Sequence, residues 1–231
     1  MTRQARDAVR AVAGDDEQVS AREFVSEGAD LDALARAAKG CQGCELYQDA
    51  TQTVFGAGPK DARVVLVGEQ PGDIEDRQGA PFVGPAGRLL DKALEESGIA
   101  RQGAYVTNAV KHFRFTRVGK RRLHKTPDRD HIEACHPWLA AEFALLDPDV
   151  VVILGATAVK ALLGTRYKVT KDRGRLLPFE IPANVAETDS HPAQALITTH
   201  PSAVLRAPDD QRPQAYAHLV ADLKVAAAAL T

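Results

Sequence analysis

The sequence predicts a three-layer α/β/α fold built on a central sheet of four parallel strands. Three observations carry that expectation. Four apolar runs, "ARVVLVGE" (62–69), "AYVTNAV" (104–110), "DVVVILG" (149–155) and "QALITTHP" (194–201), are continuous rather than alternating, as strands buried on both faces are. Helical patterns lie among and after them at 85–97, 128–146, 156–163 and 213–230. A chain of 231 residues with 45% hydrophobic content can bury one sizeable core.

The chain opens on "MTRQARDAVRAVAGDDEQVS", which is charged and lacks the apolar centre of a secretory signal, so residues 1–36 read as an extension and 37–231 as the domain. No run approaches the roughly 18 consecutive apolar residues of a membrane span. A cytoplasmic location is the expectation, with no membrane partner; no dimerisation motif is evident, and a monomer is expected. Three cysteines are too few for a disulfide framework, and Cys41-x-x-Cys44 points to a metal or redox site, with Cys135 the third thiol.

The first strand ends in "GEQPGDIEDRQGAPFVGPAGRLL" (68–90), where glycines and prolines set tight turns that let backbone approach a ligand and the last turn opens a helix. This loop carries Glu69, Gln70, Asp73 and the aromatic Phe82. Ligands of open α/β sheets bind beyond the carboxyl ends of strands, where Glu69, Gln70, Asn108, Lys111 and His200 fall. Between Lys111 and Arg129 eight cations face one acid, a net of +7 in a chain of net −2, leaving −9 for the rest. A local cationic patch on an acidic protein favours a polyanion at one place. The stretch 176–194 is Pro-rich and poorly periodic, and reads as a connection with a hairpin that carries no chemical signal.

In order along the chain, "GEQPG", "GAPFVGPAGRLLD", "TNAVK", "CHPWL" and "HPSAVLR" resemble the motifs of the family-4, iron-sulfur uracil-DNA glycosylases, over about residues 38–223. Two departures, Gln70 where that family typically has Ala and the inserted "RVGKRRLHK", resemble the UdgX group, whose members become covalently attached to the DNA from which they remove uracil. The resemblance implies the uracil-DNA glycosylase fold and a uracil-containing DNA substrate, single- or double-stranded, with free uracil as product.

It also implies residue roles. Asn108 would read the Watson–Crick edge of a flipped uracil, Phe82 would stack on it, and Gly68, Asp73 and Ser202 would complete the pocket. His200 would donate to uracil O2, with Glu69 and Gln70 in the catalytic set and His124 as the nucleophile that captures the sugar. Lys120, Arg121 and Arg122, consecutive cations in a Gly-containing loop, suit a flexible grip on phosphates; Lys111 would also contact DNA, and Leu205 and Arg206 resemble the segment that wedges into it. A 4Fe-4S cluster would sit on Cys41, Cys44, Cys135 and His112, which stands where relatives carry a fourth cysteine. Zinc suits the same Cys3His set. Two other functions remain open at this point. One is a turnover glycosylase in which Gln70 or Asp73 orients water. The other is a noncatalytic, metal-stabilised DNA-binding protein.

Overall fold

The computed structural model describes residues 20–180 and 193–230. After a 3-10 turn at Ala21–Phe24, helix α1 (Leu31–Ala38) begins at Asp30, whose side chain accepts the Ala33 amide at 2.8 Å. Strand β1 (Val64–Gly68) runs through the glycine-proline loop into α2 (Asp73–Gln78) and α3 (Pro85–Ser97). The chain then forms β2 (Ala104–Asn108), β3 (Phe115–Val118), β4 (Arg121–His124) and α4 (Arg129–Leu146). It ends with β5 (Val150–Leu154), α5 (Ala156–Leu163), α6 (Val169–Asp172), β6 (Leu176–Phe179), β7 (Ala193–Thr198), α7 (Pro201–Leu205) and α8 (Arg212–Ala228).

The main sheet has five strands in the order β2-β1-β5-β7-β6. The four expected strands are parallel; β6 joins as a fifth, antiparallel to β7. Sequence periodicity does not register β6 as a sheet strand because it is four residues long, half-exposed, and contains Pro178, which lacks a ladder donor and is tolerated only at such an edge. Residues 181–192 of the Pro-rich stretch lie outside the described residues.

Each continuous apolar run serves two layers because alternate side chains point to opposite faces. Val64, Leu66, Val106, Val152, Leu154 and Leu196 pack with Leu90 and Leu94 of α3 and Leu219 and Leu223 of α8. Val65, Val67, Tyr105, Val151, Ile153 and Ile197 pack with Leu139 and Phe143 of α4 and Val159 of α5. Helix α3 starts at Pro85, whose missing N–H costs nothing in a first turn, and stops at Gly98 with φ 85°.

Two boundaries differ from expectation. The division at 36/37 falls inside α1, which packs Leu34 and Ala38 against Trp138 of α4, so the described part of the extension is integral to the domain; residues 1–19 lie outside the described residues. The basic segment is no flexible loop. It is an antiparallel hairpin, with Phe115 opposite His124 and Val118 opposite Arg121, turned at Gly119 with φ 58°. Among the described residues no helix is long and apolar enough to cross a membrane.

Candidate functional site

A cavity of about 620 Å³ opens at the carboxyl ends of the parallel strands. Glu69 and Gln70 reach it from the end of β1, Asn108 from β2, Leu154 and Gly155 from β5, and His200 with Ser202 from the turn after β7. Its floor is set by close approach: a Cβ on Gly68 would lie 2.4 Å from Asn108 Oδ1 and 2.7 Å from Phe82 Cζ, so only glycine leaves room for both. Phe82 occupies the left-handed region at φ 56°. It stacks on His200 with ring centroids 6.2 Å apart and 28° between planes.

His200 is a neutral hydrogen-bond donor by construction. Its Nδ1 accepts the Ser202 amide at 3.1 Å and lies 2.8 Å from Ser202 Oγ, which assigns the ring proton to Nε2. Burial pushes its pKa down to about 4, so the uncharged imidazole persists at neutral pH. Glu69 is an anion. Burial alone would raise its carboxyl, but hydrogen bonds from His124 and Thr157, with His200 nearby, hold it below the usual carboxylate range.

His124 sits half-exposed on β4 with Nε2 3.1 Å from Glu69 Oε1. Two attachments hold its hairpin against the cavity. Gln70 uses its whole amide as a clamp: Nε2 donates to the Arg114 and Lys125 carbonyls at 3.1 Å each, and Oε1 accepts the Arg114 amide at 2.9 Å. Arg122, two residues before His124 and on the same strand face, turns inward to Asp73 at 2.5 Å and Asp76 at 2.6 Å, with its guanidinium over the Phe113 and Phe115 rings.

These contacts revise several expected roles. Gln70 holds backbone and has no free amide group for water. Asp73 bonds Arg77 and Arg122, which hold its carboxyl below the usual range against the effect of burial, and it does not line the cavity. Arg122 is 6% exposed and is an internal anchor, not a phosphate grip. Lys111 is fully buried, with Nζ 2.5 Å from Glu142 Oε2, 2.6 Å from Thr107 Oγ1 and 2.9 Å from the Asn108 carbonyl, so no phosphate reaches it. Lys120 and Arg121 are exposed at the hairpin turn, Leu205 is exposed, and Arg206 lines the cavity.

Sequence reasoning missed Thr157, Glu75 and Leu123. Thr157 follows the end of β5, a position that strand-end logic flags. Glu75 lines the cavity and accepts the Gly84 amide at 2.8 Å, bracing the loop that presents Phe82, and nothing in the sequence separates it from its acidic neighbours.

The three thiols gather on the far side of Lys111. Cys41 and Cys135 share one apolar cluster with Trp138 and Phe55, and Cys44 packs against it. Cys41 Sγ accepts the Trp138 indole N–H and Cys135 Sγ the Lys111 amide, each at 3.2 Å. Burial pushes the Cys135 thiol up to about 12, and the neighbouring Cys44 and Cys41 add to the rise against the pull of Lys111. His112 Nε2 bonds Thr53 Oγ1 at 2.9 Å, and among the described residues no group of three or more His, Cys, Asp or Glu is arranged to hold a metal ion.

Replacing Gln70 with Ala removes three hydrogen bonds, each worth about 0.5–1.5 kcal/mol. Amide hydrogen exchange at Arg114 and Lys125 is expected to quicken at least about tenfold while β1 and β2 stay protected. Unchanged exchange at both amides would show that Arg122 alone docks the hairpin.

Comparison with known proteins places this geometry. The Uracil DNA glycosylase superfamily matches residues 55–224. The chain is 39% identical over 145 residues to a type-4 uracil-DNA glycosylase of Thermotoga maritima, covering 62% of this chain and 72% of that protein. It is 34% identical over 179 residues to a type-4 uracil-DNA glycosylase of Pyrobaculum aerophilum, covering 78% and 86%. With sheet, loop and cavity residues all inside the matched span, the chain belongs to the uracil-DNA glycosylase superfamily.

Proposed function

We propose that the protein excises uracil from DNA, releases the free base, and then bonds through His124 to C1′ of the abasic deoxyribose. The observation that carries this reading is the placement of His124 at the cavity mouth, 3.1 Å from the Glu69 carboxylate and on a hairpin held by Gln70 and Arg122.

The chemistry follows from the groups present. A uracil flipped into the cavity would meet Phe82 on its face and the Asn108 amide on its edge; cytosine reverses the donor and acceptor order and would leave buried groups unpaired. As the C1′–N1 bond breaks, its electron pair leaves with the base. The His200 Nε2–H, fixed by Ser202, is oriented to stabilise the resulting oxyanion, a contribution typically of ~2.7–4 kcal/mol. Glu69 faces the developing sugar cation. An imidazole nitrogen then supplies an electron pair to C1′, the ring's proton passes to Glu69 or solvent, and the product is a neutral N-alkylimidazole. That nitrogen leaves less readily than a uracil anion, so the protein remains on the site after one turnover. A turnover glycosylase would share the pocket, but Gln70 and Asp73, its expected water-orienting groups, are occupied by backbone and arginines. A noncatalytic DNA-binding protein would need cations and no neutral histidine aimed into a cavity.

The donor chemistry fits an iron-sulfur cluster on Cys41, Cys44, Cys135 and His112. Two of the three sulfurs already receive N–H groups that would stabilise cluster-bound thiolates, and Thr53 on His112 Nε2 leaves the other ring nitrogen to bind, an arrangement common around metal-bound histidines. The cluster would join the start of the domain to α4 and the base of the hairpin.

A uracil-containing oligonucleotide on a denaturing gel tests the reaction. The wild type is expected to give a heat-stable shifted band in one-to-one yield, and His124→Ser an alkali-labile abasic product over many turnovers. A full-yield adduct from His124→Ser would refute the assignment. For the cofactor, purified protein is expected to be brown with broad absorption near ~400 nm. Iron loading should survive His112→Cys and fall in His112→Ala; colourless protein with one zinc per chain would overturn it.

A further inference from the structure

The outer face of the hairpin is unlike the rest of the basic segment. Strand alternation sends Arg122 and His124 inward and leaves Thr116, Leu123, Val118 and Arg121 on the other face, where Thr116 pairs with Leu123 and Val118 with Arg121. Val118 is 58% exposed and Leu123 39%, two of the few large apolar side chains open to solvent among the described residues. Leu123 also lines the cavity beside His124, so this small apolar face continues from the mouth of the site. Lys120 and Arg121 border it, both exposed.

We infer that this face is a platform for the unpaired base next to uracil, which makes single-stranded DNA the favoured substrate class; the inference rests on the glycosylase reading above. An apolar face bordered by cations matches a nucleotide whose base is unstacked: the base face covers Leu123 and Val118 while Arg121 and Lys120 take the flanking phosphates. A duplex keeps its base faces stacked inside and presents charged backbone outward, which satisfies the cations and leaves both apolar side chains in water. A protein partner is disfavoured by the same border of cations and by continuity with the nucleotide cavity.

Binding of uracil-free oligonucleotides tests the platform without any excision. Fluorescence anisotropy of a single strand carrying 2-aminopurine, and of its duplex, is measured with the wild type and with Leu123→Ser/Val118→Ser. The wild type is expected to bind the single strand about tenfold tighter than the duplex at equal salt, with 2-aminopurine emission changing on binding. The double variant should lose most of that ratio while its salt slope stays the same, and Leu123→Phe should keep or raise the ratio. Equal wild-type affinity for both forms, or an unchanged ratio in the serine variant, overturns the platform. Absence of uracil release from a uracil-containing strand, scored separately, would instead refute the glycosylase reading.

Discussion

The hydrogen bonds of one side-chain amide hold the candidate chemistry together. Gln70, one residue beyond Glu69, bonds Arg114 and Lys125, which face each other at the open end of the hairpin. A two-stranded ribbon is at best marginally stable alone in water. Here its orientation is set from the cavity wall itself, because the clamp and the carboxylate facing His124 are neighbours in the chain. Arg122 adds charge-assisted bonds to Asp73 and Asp76 on α2, the helix that follows the same loop. The loop after β1 therefore lines the pocket and also docks the hairpin that carries His124.

A second constraint runs beneath the pocket. Lys111 and Glu142 form a fully buried ion pair, and its cost is offset because Thr107, Tyr105 and the Gly56 amide also satisfy the carboxylate. The same lysine reaches in two directions: Nζ bonds the Asn108 carbonyl and the backbone amide bonds Cys135 Sγ. Asn108 in the cavity and Cys135 among the thiols are thus tied through a single residue.

The sheet was legible because burial on both faces makes its four parallel strands continuous apolar runs, and Pro85 and Gly98 mark the limits of α3 in the chain itself. Strand-end logic placed Glu69, Asn108 and His200 at one cavity. What escaped was direction. The eight cations between Lys111 and Arg129 look alike in sequence, yet strand alternation turns Arg122 inward, and Lys111 lies just past β2, where its charge partner Glu142 is 31 residues away. Gln70 was legible as unusual but not as a clamp, since its partners are backbone atoms 44 and 55 residues distant. The edge strand β6 was hidden by Pro178 and by its shortness.

The central claim is that the hairpin delivers His124 to the sugar. Mass spectrometry of the protein after reaction with a uracil-containing oligonucleotide and digestion by protease and nuclease tests it most directly. The account predicts one modified peptide, the one containing His124, carrying a deoxyribose attached at the imidazole. A sugar attached to any other residue, or unmodified His124 alongside released abasic DNA, would contradict it.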